Sequence, residues 1–452
     1  MSDFRSPGAA AGHPPSYWLA TAPPAPMAPA LSGDAAADVV IVGAGFTGLS
    51  TAWHLQRAGL SAIVLDANDI GWGASGRNGG MLPPRYKKGF ATLARKYGHD
   101  VTRHLHRLIL EAVDTVEAIV DDGGFDCAFA RTGQLTAALS PDHLASLEAD
   151  AVWAAAEAAD RAPRVLNAGE ARSEIGGGNY VGGWLDPRGA AIHPLAYVRG
   201  LAKTLISRGI AIHGATPVLQ LQEAAGGVTA STPGGTVRAK QAVIATNAYT
   251  DLYGGATGDL GRRVVPVTSS VIATQPLGAN VAASVLPARR MVADSRHLMF
   301  YFRMMPDGSL LFGGRGDITG RRDDPAVYLG LEQGLAATFP QAAGAPIAHR
   351  WSGKVAVTLD DFPHIGRLSP RIAYAMGYGG RGVALSNLMG RLLTDLVREL
   401  PVNVGPMGGS SFAPIPFHSL RIPGMRIVAG WYRLKDARAS AAARSWARSQ
   451  KS

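Results

Sequence analysis

The segment from Val39 to Asp66 leaves few folds open. It reads Val39-Val40-Ile41-Val42, then Gly43-Ala44-Gly45-Phe46-Thr47-Gly48, then apolar residues at helical spacing (Phe46, Leu49, Ala52, Leu55), then Gly59, then Ala62-Ile63-Val64-Leu65-Asp66. The uninterrupted apolar run is a strand buried on both faces, and the recurrence after it is a helix, with Gly59 placed just past its end. Strand, glycine turn, helix and second strand make a β-α-β unit whose turn grips a dinucleotide. Its three glycines allow a tight turn, close approach of a pyrophosphate, and close packing of helix on strand. Because the helix begins inside the turn, its unpaired N–H groups and positive dipole end face the diphosphate. Asp66 closes the second strand, where a carboxylate accepts the hydrogen bonds of an adenosine ribose and repels a 2′-phosphate. That argues against NADP and does not separate NAD from FAD.

The next loop makes the separation. Gly71-Trp72-Gly73-Ala74-Ser75-Gly76-Arg77-Asn78-Gly79-Gly80-Met81 is a second glycine-dense stretch for which a simple NAD dehydrogenase has no use. Glycine lets backbone N–H groups reach a flat ring and an anionic chain without side-chain obstruction. Together with the first fingerprint, this string resembles the D-amino-acid-oxidase-like family of FAD-dependent amine and amino-acid oxidoreductases, most closely its γ-glutamylputrescine-oxidase-like branch. The resemblance implies that the loop follows the pyrophosphate and ribityl chain and ends against the isoalloxazine ring. The residues it implies at FAD are Gly43, Gly45, Phe46, Thr47, Gly48, Asp66 and Ala67 in the first unit. In the loop they are Gly73, Ala74, Ser75, Arg77, Asn78, Gly79, Gly80 and Met81, and farther on Val218, Thr246, Gly379, Gly380, Arg381, Gly382 and Val383.

Later segments fit the same family in the same order, from about Tyr17 to Asp436. Arg131-Thr132-Gly133-Gln134-Leu135 reads as the start of a substrate-domain strand. Trp184-Leu185-Asp186-Pro187 and Ile192-His193-Pro194 lead into an amphipathic helix and strands at Ile210–His213 and Pro217–Leu221. A buried strand ending at Ala245 delivers the turn Thr246–Tyr249, which in the family approaches the cofactor. Tyr301-Phe302-Arg303 and Leu311–Arg315 read as further substrate-domain strands, and Trp351-Ser352-Gly353 with Asp361–Gly366 resembles the family's flavin-edge segment. Gly377–Val383 opens a helix with Val383, Leu388, Leu392 and Leu396 toward the core, stopped by Pro401. With its N-terminus at the pyrimidine edge, as in the family, that helix would stabilise the charge gathered on two-electron reduction. The expected fold is α/β in two domains. A Rossmann-like FAD-binding domain is drawn from 37–95, 160–260 and 350–402, and an antiparallel-sheet substrate domain from 96–159 and 261–349. An arm at 1–36 precedes them and a C-terminal segment at 403–452 follows.

Composition narrows the alternatives. The chain has 452 residues, 47% of them hydrophobic, enough for a two-domain core. No apolar stretch approaches the roughly 20 residues that span a bilayer. Residues 1–36 are rich in Ala and Pro and lack both a basic start before an apolar core and a twin arginine, so they read as an arm and the cytoplasm is expected. The single cysteine, Cys127, excludes an intramolecular disulfide and a multi-cysteine metal site. It lies far from the C-terminal region where some sarcosine oxidases tether flavin, and Ala74–Met81 contains no histidine, so FAD is expected to be bound non-covalently. The net charge of +10 is spread over scattered arginines and lysines without a basic helix or interleaved aromatics. Neither nucleic acid nor membrane is an expected partner, and the oligomeric state is not legible. Arg438–Ser452, basic and Ala-rich, reads as a frayed helix. His104 and His106 point to different helix faces and cannot form a zinc pair, so no metal is expected. No nucleophile elbow, phosphate loop or second dinucleotide fingerprint is present. Electrons should therefore come from the substrate.

The chemistry expected is removal of hydride from a carbon beside an amine nitrogen, with imine hydrolysis and O2 as the acceptor. Lys354, just after Trp351-Ser352-Gly353, is the candidate catalytic residue: a positive charge near the flavin helps superoxide formation or holds a carboxylate. Its alternative is a strand lysine reaching solvent. The family's α-amino-acid oxidases carry Arg-Pro in this segment to clamp a carboxylate, whereas here Lys354-Val355-Ala356 follows, which points to an amine whose carboxylate is absent or distant. Tyr249, Tyr301, Arg303 and Trp351 are candidate substrate-pocket residues, Arg303 for a distal carboxylate, or else core packing. His193, before Pro194, reads as a helix-entry histidine capped by its neighbours. A dehydrogenase of the same fold serving a quinone or protein acceptor, and a non-enzymatic flavoprotein or basic binding module, are the alternatives.

Overall fold

The computed structural model describes residues 12–316, 325–409 and 412–449. Two eight-stranded sheets organise them. The first runs, in spatial order, His364–Ser369, Ile372–Met376, Gly235–Ile244, Ala35–Val42, Ala62–Leu65 and Ala211–His213, with a hairpin, Gln220–Ala224 and Gly227–Thr232, joined to Gly235–Ile244. Its central strands are parallel. Val39–Val42 are buried on both faces: Val39 and Ile41 pack in the cluster with helices Phe46–Arg57 and Gly382–Val397, and Val40 and Val42 pack on the other side with Val218, Val228 and Val237. That is why the run carries no polar alternation.

The second sheet runs Ile347–Val357, Val265–Thr274, Leu310–Arg315, Tyr301–Met304, Met291–Asp294, Gln134–Ala138, Gly182–Asp186 and Arg164–Asn167. All neighbours are antiparallel except Met291–Asp294 beside Gln134–Ala138. Directly paired residues share a face, and one row crosses seven strands: Trp351, Val271, Gly313, Tyr301, Ala293, Thr136 and Trp184. This row faces the first sheet's layer. The opposite face, with Leu135, Phe302, Phe312 and Ile272, packs under helices Ala168–Ile175 and Pro325–Thr338.

Four boundaries differ from the sequence reading. Strands Arg164–Asn167 and Gly182–Asp186 belong to the second sheet, although 160–260 was expected in the first domain, because Leu185 and Trp184 pair with Leu135 and Thr136. Ile347–Val357 likewise joins the second sheet through Val265–Thr274. The strand expected at Pro217–Leu221 is Gln220–Ala224, since Pro217 lacks the N–H a ladder needs. The C-terminal helix is Arg421–Ser449, beginning well before the expected Arg438. The arm forms a short helix, Tyr17–Thr21, capped by the Ser16 hydroxyl. It then follows the first sheet, where Ala28 accepts from Gly214 and Gly33 donates to Gly234. Among the described residues no helix is long and apolar enough to cross a membrane.

Candidate active site

Parallel strands end together. Val42 is level with Leu65 on one side and Ile244 on the other, and in an open parallel sheet ligands bind at that edge. The residues just beyond, Gly43, Asp66 and Ala245 with Thr246, line a cavity of about 960 Å³, part of it open to solvent. Gly43 sits at φ +111°, and a Cβ there would stand 2.9 Å from the Ala245 carbonyl oxygen. At Gly48 a Cβ would meet the Gly43 carbonyl oxygen at 1.9 Å, so glycine is what lets the helix rest on the strand. Gly48 thus shapes the cavity without lining it.

Two helix starts open on the cavity, through Gly45, Phe46 and Thr47 and through Gly380, Gly382 and Val383. Neither first turn contains an acidic residue, so both positive dipole ends are available to an anion. The two starts are tied by a hydrogen bond of 2.7 Å between Thr47 Oγ1 and the Tyr378 hydroxyl. Asp66 accepts from the N–H groups of Ala44 (2.7 Å) and Asn68 (2.9 Å). Burial outweighs these bonds and pushes its carboxyl up to about 6.

The loop Gly73, Ala74, Ser75 and Asn78 forms a further wall. Ser75 Oγ accepts the Phe46 N–H at 2.9 Å, supplying the cap that Gly45 lacks. Asn78 folds the loop on itself, its amide donating to the carbonyls of Ala74 and Ser75 and its oxygen accepting from Gly80. Two indoles hold successive carbonyls: Trp351 Nε1 donates to Arg77 at 2.9 Å and Trp18 Nε1 to Asn78 at 2.8 Å. The rings meet edge to face at 6.3 Å, both fully buried. In a trans peptide the C=O and the following N–H point oppositely. Drawing these two carbonyls toward the indoles turns the N–H groups of Asn78 and Gly79 the other way.

Lys354, Val355 and Tyr249 complete the lining from the second sheet and the turn after Ala245. The Lys354 N–H donates to the Tyr249 hydroxyl at 3.3 Å, and the Lys354 ammonium stands 6.0 Å from the Tyr249 ring centroid. The half-buried Lys354 therefore reaches the cavity and does not simply extend into bulk water.

Other expected residues lie behind the lining. Trp351 spends its N–H on the loop. Tyr301 bonds Ser269 at 3.1 Å and packs where a Cβ at Gly79 would fall, 2.9 Å away. Arg303, read as meeting a distal carboxylate or else as core packing, is buried beneath the loop, with Nη1 donating to the carbonyls of Gly80 (2.6 Å) and Ile192 (3.0 Å). Burial lowers its guanidinium to about 10. Arg77 lies over the Trp72 ring and donates to the Trp72 carbonyl, so its side chain braces the loop. Met81 pairs with Ala191. Ala67 and Gly379 flank the lining, Gly379 donating to Ala356, and Val218 is buried in the apolar cluster with Val42 and Leu65. Arg381 is half-buried beside Arg85; burial first, then that neighbouring charge, lowers it to about 10.

Trp18, Trp72, Tyr378 and Asn247 were not singled out from sequence. A serine-capped Tyr-Trp pair within an Ala/Pro arm was the available signal for Trp18. Asn247 adopts φ +45° and accepts from Gly377 at 2.9 Å, joining the turn to the helix start. His193 is itself the helix cap, its Nδ1 accepting from Ala196, and its ring lies tilted against Trp18 with centroids 4.8 Å apart. Cys127 is buried, and desolvation with the Asp126 charge pushes its thiol up to about 12. Among the described residues no group of His, Cys, Asp or Glu could hold a metal ion.

A cavity joining a ribose-type carboxylate to two helix starts and to a second sheet fits an adenine dinucleotide. The fold and site define an FAD-dependent oxidoreductase of the amine and amino-acid oxidase type. The chain belongs to the DAO family of FAD-dependent oxidoreductases, whose model matches residues 38–396. It is 34% identical over 426 residues to the gamma-glutamylputrescine oxidoreductase of Escherichia coli, covering 94% of this chain and 98% of the relative. It is 33% identical over 362 residues to a probable oxidoreductase, OrdL, of Haemophilus influenzae, covering 80% and 83%. Among solved structures, glycine oxidase from Geobacillus kaustophilus superposes with a TM-score of 0.71 at 21% identity, covering 83% of this chain and 98% of the other. That likeness concerns the fold.

Proposed function

We propose that this chain oxidises a C–N bond of a primary or secondary amine derived from an amino acid, of the γ-glutamylputrescine kind, and uses O2 as acceptor to release hydrogen peroxide. The observation that carries the reading is Lys354 lining the cavity on the same strand as Trp351-Ser352-Gly353, its N–H bound to Tyr249, with no arginine in the next two positions. When bound, FAD supplies the two-electron sink, taking hydride from the carbon beside nitrogen, leaving an imine for water to hydrolyse, and passing the electrons to O2.

The chain's own groups position and polarise. The helix starts at Phe46 and Gly382 place positive dipole ends where a diphosphate and a charge-gathering ring edge need them. Asp66 takes the ribose hydroxyls. Trp18 and Trp351 fix the loop carbonyls, so the N–H groups of Asn78 and Gly79 stay turned from the indoles without reorganisation. Lys354 brings a positive charge to the reacting end, and the Tyr249 ring and hydroxyl hold that lysine's backbone in place. Because no arginine clamp accompanies Lys354, a free α-carboxylate is not favoured. A buried, protonated Cys127 agrees with FAD held without a covalent bond.

The test is the visible spectrum of the purified protein under anaerobic conditions, before and after γ-glutamylputrescine, putrescine, sarcosine and small primary amines, then after admitting air. Bleaching by one amine with recolouring and peroxide in air is the expected result. Recolouring only with an artificial acceptor would replace the oxidase with a dehydrogenase.

A further inference from the structure

The helix Arg421–Ser449 is docked by one narrow stripe. Ala429 is buried, Tyr432 stacks on His297 at 4.8 Å, and Asp436 accepts from the N–H groups of His297 and Leu298. These positions recur three or four apart, so they share one face. The opposite face is apolar and open to solvent: Ile427 is 76% exposed, Trp431 51% and Leu434 45%. Just before the helix, Phe417 is held at φ +52°, an unusual backbone for an aromatic residue, with 82% of its surface exposed. Scattered single apolar residues on a surface need no explanation, but a contiguous stripe does.

Charge selects the occupant. Arg426, Arg433, Lys435 and Arg438 flank the stripe, and from Arg421 to Arg438 the one acidic residue is Asp436, which is turned inward and bound to His297. Lys435 lies over the Trp431 ring at 5.0 Å, at the border of the apolar face. A second copy of this face would bring cations against cations. An anionic, apolar-backed surface suits it: basic side chains meet headgroups while Ile427, Trp431 and Leu434 enter the acyl boundary.

We propose that this helix docks the protein on the surface of an anionic phospholipid bilayer, lying in the interface without crossing it. This revises the expectation that no membrane partner is involved, and it is independent of which amine is oxidised. The experiment is co-sedimentation of the full-length holoprotein with phosphatidylcholine vesicles, with and without phosphatidylglycerol, at low and high salt. Binding to the phosphatidylglycerol vesicles alone, weakened by salt, is the expected result. The double variant Ile427→Ser with Trp431→Ser and the charge-reversal pair Arg433→Glu with Lys435→Glu should each lower vesicle affinity by about tenfold or more, with amine oxidation unchanged. Absence of binding, or binding unaffected by both variants, overturns the proposal. So does a self-associated protein in sedimentation velocity that the serine variant converts to monomer, which would assign the stripe to a second copy.

Discussion

The two walls of the cavity are made differently. One is a single stretch of chain, Gly43 to Asn78, in which backbone groups and missing side chains do the shaping: Gly43, Gly45, Gly48, the Ala44 N–H on Asp66, the Phe46 N–H on Ser75. The other gathers side chains distant in the chain, Tyr249 from the turn after Ala245 and Lys354 with Val355 from the strand Ile347–Val357, joined by the bond from the Lys354 N–H to the Tyr249 hydroxyl. The backbone-built wall can hold one cofactor chemistry and tolerates little change. The side-chain wall can be revised residue by residue, which is where substrate choice within one fold is expected to reside.

That contrast can be broken or sharpened by substitution. The largest effect is expected at Gly48→Val, whose side chain would run into the Gly43 carbonyl. Overpacking of about 3 kcal/mol should leave a protein without yellow colour and with a lowered melting temperature; a coloured, stable variant would show that the wall yields more than its geometry suggests. Next is Lys354→Met, expected to slow reoxidation by O2 by about a hundredfold while anaerobic bleaching by amine changes little, measured by stopped-flow on each half-reaction. If bleaching slows instead, Lys354 binds substrate. Trp351→Phe and Trp18→Phe each leave one buried carbonyl without its donor and should weaken FAD binding by about tenfold in titrations of the apoprotein. Equal losses would mean that the arm and the second sheet contribute alike to the loop.

The smallest effect is in pH. Burial raises Asp66 to about 6 in the cavity, so the cofactor-free fold gains stability from its protonated form, a gain present below the ordinary carboxylate range and lost as pH rises through about 6. FAD needs the ionised form to accept ribose hydroxyls, so its affinity should rise with pH over the same window, by about twofold between pH 6 and 7. Asp66→Asn should bind FAD more weakly and flatten that dependence.

Sequence reading reached the first wall because every signal in it is local: the glycine spacing, the acid at the end of the second strand and the loop after it all lie between Val39 and Met81. It reached less of the second. Tyr301, Arg303 and Trp351 were legible as strand residues near the site, but which carbonyl each would serve depends on register over several strands. Arg303 shows the consequence: sequence left it open between a substrate carboxylate and core packing, and register places its guanidinium on the carbonyls of Gly80 and Ile192. Trp18 was lost for another reason. Its partner, Asn78, is 60 residues away, and a composition rich in Ala and Pro conceals the side chain that ties the arm to the loop. The C-terminal helix was read short because its early turns contain Pro423 and Gly424, which depress helix propensity yet fit at a helix start.

Under the proposed reaction the protein would stand first in line for damage by the hydrogen peroxide it forms, and the group most open to attack is a thiolate. This chain has one cysteine, sealed in the core and pushed up to about 12, so at neutral pH almost none of it is thiolate. Turnover in air should therefore leave the thiol unmodified, and the protein's lifetime at work is set elsewhere than by sulfur oxidation at Cys127.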